Sequence, residues 1–275
     1  MPRVSFRGLS GSSVLSACLG LASLFVLSLY AVSAGLPRNH PVTVRRRILA
    51  IVCVCSVAPA YLWAWSSADD DDAEPLLRIL GIKLDGIRWA IVSPLLLVSL
   101  AYLGPLIHYA TLKENPFSEL FGGERRDIEL RNYVVAPFAE EFVFRACLVP
   151  LLTPSLGELW TILLCPLFFG LAHLHHIVEW ALNGEGTFTN VLIGLLVQAG
   201  YTSVFGAFSA FLFVRSGHLV SPVLAHTYCN VLGLPPLASI PSHSRPYTIL
   251  GFYVLGLVTF LLLLFPMTSP TWFID

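Results

Sequence analysis

The chain has 275 residues, 56% of them hydrophobic and only 12% charged, with a mean hydropathy of +0.75 and a net charge of −1. Soluble domains carry roughly a quarter charged residues, so this composition excludes an ordinary soluble globule and describes a polytopic, all-α membrane protein in contact with the lipid bilayer. The near-zero charge supplies no global field for nucleic acid, and nucleic acid is not an expected partner.

In chain order, apolar runs long enough to span a bilayer, roughly 17–25 residues each, fall at about 13–35, 48–65, 88–110, 132–152, 157–178, 190–214, 218–236 and 247–266. They predict a bundle of about eight transmembrane helices. The first run follows Arg3 and Arg7 and precedes Val32-Ser33-Ala34, so it reads either as a span or as a cleaved signal peptide. Two connections are long. Residues 66–87 hold the acidic run Asp69–Asp72, and residues 111–131 hold a charged stretch that is either an interfacial helix or a solvated loop. If eight spans cross, the loops after the first and third share a side. They carry Arg38, Arg45, Arg46, Arg47, Lys113, Arg125, Arg126 and Arg131, which places that side in the cytosol. The six cysteines, Cys18, Cys53, Cys55, Cys147, Cys165 and Cys229, all lie in apolar runs with no metal or disulfide spacing, and are expected to be buried small hydrophobes.

Ionisable residues inside a span are costly and mark functional cavities. Here they form three groups. Glu140, Glu141 and Arg145 come first. Glu141 and Arg145 stand at i, i+4 and pair on one helix face, while Glu140 is turned about 100° away and suits a general base. Pro137, three residues earlier, is expected to kink the helix and admit water. The second group is His173, His175, His176 and Glu179. His173 lies deepest, after the small residues Gly170 and Ala172. His175, His176 and Glu179 read equally as interfacial residues. The third is His226 with Asn230, again at i, i+4, donors that suit either an oxyanion or an interhelical hydrogen-bonded pair. A base, a group to place water and oxyanion donors are the parts that amide hydrolysis needs. Zinc held by Glu140, His173 and His226 is an alternative from the same residues. So is a proton-coupled transporter or channel lined by them. Cys147 lacks a nearby base and is not expected to be a nucleophile.

At these groups the sequence resembles the type II CAAX prenyl proteases of the wider ABI family. The family's EExxxR motif is matched by Glu140, Glu141 and Arg145, its FxxxH by Phe169 and His173, and its HxxxN by His226 and Asn230, in that order. The likeness covers about residues 131–236, which would form a catalytic core between an N-terminal region of about three spans (1–130) and a last loop and helix (237–275). The resemblance implies an eight-helix intramembrane endopeptidase of the endoplasmic reticulum membrane. It would remove the aaX tripeptide from prenylated CaaX proteins such as small GTPases, with no cofactor and no metal. It implies water activated by Glu140 and His173, an oxyanion held by His226 and Asn230, and structural support from Glu141, Arg145 and Phe169.

Overall fold

The computed structural model describes residues 3–33, 35–66, 73–118, 125–173 and 188–273, without the side chains of residues 171–173, 188, 190, 191 and 195. The acidic run Asp69–Asp72, His175, His176 and Glu179 lie outside the described residues. The chain forms two compact units, Met1–Ile82 with Ala139–Leu219, and Lys83–Phe138 with Val220–Asp275.

The first unit contains α1 (Gly11–Ala31), α2 (Pro41–Trp65), the short α3 (Leu76–Ile79) and a two-residue antiparallel pair of β1 (Arg3–Val4) and β2 (Glu74–Pro75). The helix α2 starts well before the expected residue 48. His40 caps it by accepting the Val42 N–H at 3.3 Å, and Pro41 occupies the first turn, so Arg45, Arg46 and Arg47 are helical rather than in the loop. Tyr61 of α2 donates to the Ala17 carbonyl of α1 at 2.9 Å, and a Cβ on Gly20 would meet that tyrosine hydroxyl at 2.5 Å. Close approach is bought here with a small residue, as in other membrane helix pairs.

From Arg126 the chain is helical to His173, but not uniformly. A short α6 (Arg126–Leu130) leads into a π-helical segment, Arg131–Val135. There follow α7 (Ala136–Glu141), a second π segment, Phe142–Cys147, and α8 (Leu148–His173). Arg131, expected in a loop, is helical and buried. The stretch Arg126–Gly170 counts 45 residues, about 68 Å at 1.5 Å per residue, more than twice the ~30 Å apolar core of a bilayer. It is broken at Gly157 (φ 74°, ψ 166°), between the runs expected at 132–152 and 157–178. The long α9 (Phe188–Ser216) packs on α8. The core of this unit is apolar: Leu21, Phe25, Phe144, Leu148 and Leu212 are buried.

The second unit holds α4 (Ile87–Ala101), α5 (Leu103–Leu112), α10 (Val220–Leu232) and α11 (Pro246–Met267). The expected third span is bent by 65° between α4 and α5. Pro105 has no N–H for the Ala101 carbonyl, which ends α4 there. The expected seventh span, 218–236, is the 13-residue α10, about 20 Å long. Glycines with positive φ bracket it, Gly217 (62°) before and Gly233 (66°) after.

Among the described residues, five helices are long and apolar enough to cross a membrane, or six if the bent pair is one span. The all-α membrane bundle stands, with five or six such helices in place of the eight expected. Many large apolar side chains on these helices are exposed, such as Leu27, Leu49, Val204 and Leu262, as expected of a surface solvated by lipid. All six cysteines are free. Cys18, Cys147 and Cys165 are buried, while Cys53 is exposed, contrary to expectation, on the outer face of α2.

Candidate active site

Glu140 and Glu141 close α7, between the two π segments. Such segments widen a helix by one residue and recur at functional sites. Glu141 and Arg145 are both fully buried, and an Arg145 Nη donates to Glu141 Oε1 at 3.1 Å. The other carboxylate oxygen, Oε2, accepts from the hydroxyl of Ser209 on α9. Arg145 also donates to the Gly206 carbonyl at 3.4 Å, and its guanidinium lies 4.7 Å from the centroid of the Phe169 ring. That ring meets Phe144 edge-on at 5.2 Å, and Phe144 meets Phe25 of α1 at 5.6 Å.

These contacts explain the motif residues physically. Two unit charges in an apolar bundle survive when each is paired and hydrogen-bonded. Glu141 takes a cation on one oxygen and a hydroxyl on the other. Phe169 covers the guanidinium by a cation–π contact, so the aromatic residue of the second motif packs on the arginine of the first. Gly206 is required by the same closeness. A Cβ there would stand 3.0 Å from Pro166 and 3.1 Å from the Arg145 guanidinium. The i, i+4 spacing made the Glu141–Arg145 pair legible. Ser209 and Gly206 were not singled out, because their partners lie 68 and 61 residues away in sequence.

Glu140 sits in the same α-helical turn but about 100° round from Glu141, and is half-buried. His173 ends α8, with its side chain outside the description. Glu140, Glu141, Arg145, Phe169 and His173 belong to the first unit.

His226 and Asn230 stand on α10 in the second unit, His226 buried and Asn230 exposed. Asn230 Nδ2 donates to the Asn132 carbonyl at 3.1 Å, and Thr227 Oγ1 donates to the Tyr133 carbonyl at 2.9 Å. Both acceptors lie in the first π segment. The Ala136 N–H bonds to Arg131 in the π pattern, and residue 137 is proline. The Asn132 carbonyl therefore has neither an α-type nor a π-type backbone donor. Pro137 also withholds the α-type donor from Tyr133. Side chains of α10 supply what the backbone does not, as the membrane interior demands. Pro137 thus acts through carbonyls passed to a neighbouring helix, where a kink was expected. Among the described residues, no three His, Cys, Asp or Glu side chains gather as a metal site. The Glu140, His173 and His226 set includes a side chain outside the description.

The family model for type II CAAX prenyl endopeptidases, Rce1-like, matches residues 129–232. The chain is 39% identical to CAAX prenyl protease 2 of Homo sapiens over 264 residues, covering 92% of this chain and 80% of that protein. It is 35% identical to CAAX prenyl protease 2 of Arabidopsis thaliana over 299 residues, covering 98% and 94%. With CAAX prenyl protease 2 of Rattus norvegicus it shares 35% identity over 264 residues, covering 92% and 79%. No solved structure matches. Likeness at this level over nearly the whole length, on a chain of membrane-length apolar helices, means that the chain belongs to the Rce1-like family of type II CAAX prenyl endopeptidases.

Proposed function

We propose that the chain removes the C-terminal aaX tripeptide from prenylated CaaX proteins, small GTPases among them, within the endoplasmic reticulum membrane. Glu140 takes a proton from a water that His173 positions. The resulting hydroxide attacks the carbonyl carbon of the prenylated cysteine. His226 and Asn230 donate to the oxygen that gains negative charge. The C–N bond then breaks, and the proton held by Glu140 passes to the leaving amine. No acyl-enzyme forms.

The observation that carries this reading is the unequal fate of the two adjacent glutamates. Glu141 has both carboxylate oxygens engaged, by Arg145 and Ser209, and is fully buried. Its role is to hold the helix. Glu140, in the next position back and half-buried, is the carboxylate placed to act as base. Asn230 supports the oxyanion role. It spends one amide N–H on Asn132, and its NH₂ group has two.

The test uses purified protein in liposomes with a farnesylated CaaX peptide, reading intact tripeptide by mass spectrometry. Wild type is expected to release it, and Glu140→Ala to lose turnover by at least about 10³-fold, within the range of lost base catalysis, while remaining folded and inserted. Full turnover in the variant would remove Glu140 from the mechanism.

A further inference from the structure

Thr227 lies inside the third motif, between His226 and Asn230, and no motif position includes it. Its hydroxyl donates to the Tyr133 carbonyl, and three residues on Asn230 donates to the preceding carbonyl, Asn132. On an α-helix, residues 226, 227 and 230 point to 0°, 100° and 40°, so all three share one face. Two side chains bonded to two successive carbonyls fix both the height and the rotation of α10 against the π segment. One bond alone leaves the helix able to roll about it. The bonds also set chemistry. An asparagine amide offers N–H₂ at one end and C=O at the other. Only the N–H₂ end is tolerated by a carbonyl, so Asn132 fixes which way round the amide stands, with the second N–H directed elsewhere.

We propose that Thr227 is a positioning residue of the site: its bond to the Tyr133 carbonyl sets the rotation of α10 at which Asn230 keeps its amide on Asn132 and presents its second N–H, beside His226, to the reacting carbonyl. This rests on the oxyanion role given to Asn230 above. Thr227 touches no substrate and acts through its neighbour. Its loss therefore lowers the rate of the chemical step and spares substrate binding.

The experiment compares Thr227→Val, which keeps the shape and removes the hydroxyl, with Thr227→Ser, which keeps the hydroxyl. Turnover per folded molecule is measured on the farnesylated peptide in liposomes. Thr227→Val is expected to lower kcat about tenfold with KM within about twofold, and Thr227→Ser to restore most of the rate. If the valine variant does not fold, Thr227→Ala set against Thr227→Ser isolates the same oxygen. The double variant Thr227→Val/Asn230→Ala is expected to be no slower than Asn230→Ala alone, because the effect runs through Asn230. Wild-type kcat in Thr227→Val, or a tenfold loss that multiplies in full with Asn230→Ala, overturns the proposal. Asn230→Ala with wild-type turnover instead overturns the oxyanion role itself, and the proposal with it.

Discussion

Glu141 and Arg145 are each tolerable in the apolar interior because of the other. Glu141→Ala strands a fully buried guanidinium, and breaking a buried pair from one side costs about 3–5 kcal/mol. The expected result is a sharp fall in folded yield, read by gel filtration of the detergent-solubilised protein, together with loss of activity. Normal yield would show that the pair does not hold the fold. The two neighbouring glutamates thus fail differently: removal of Glu140 leaves a folded, inactive protein, and removal of Glu141 leaves little protein. The pairing partner was legible in the sequence, since i, i+4 on a helix is a rule of local geometry. The remainder of the clamp was not. Ser209 is a single hydroxyl in an apolar run, and nothing local shows that it meets a carboxylate on another helix.

At the scale of elements, hydropathy placed most helices to within a few residues, because a run of apolar side chains is a direct requirement of a span. It misjudged α10, whose flanking glycines end the helix although the apolar composition continues to residue 236. It was blind to the π segments, which arise from backbone hydrogen-bond register and leave only Pro137 as a trace. Helix packing also depends on individual small residues. Gly104 of α5 faces α11, and a Cβ there would stand 2.6 Å from the Tyr253 Cα, a backbone atom that cannot swing aside. Gly256 of α11 stands in the same relation to the Leu100 carbonyl, at 2.5 Å. Gly104→Ala is expected to destabilise the protein by about 1–3 kcal/mol, the usual cost of overpacking. A lowered thermal midpoint in detergent would register it, and an unchanged midpoint would mean that the helices separate there without strain.

For the whole molecule, sidedness follows from the arginines. Arg38 in the connection between α1 and α2, with Arg45, Arg46 and Arg47 in the first turns of α2, places that connection in the cytosol by the positive-inside rule. A cysteine introduced at the exposed Asn39 is expected to react with a membrane-impermeant maleimide added to sealed microsomes, whose outer face is cytosolic. Labelling only after the vesicles are opened would invert the orientation. The same side must receive the substrate, because prenyl groups are attached in the cytosol.

The carbonyl of Asn132 also bears on how the protein is made. Its donor, Asn230, lies 98 residues further along the chain. A ribosome that has delivered the segment around Asn132 to the bilayer has yet to synthesise the residue that completes it. At a translation speed of roughly 5–20 residues per second, that interval lasts several seconds. Throughout it the segment carries a polar group that lipid cannot solvate. The nascent segment must therefore wait beside water, the insertion machinery or a membrane chaperone, and its release into lipid is timed by the arrival of α10.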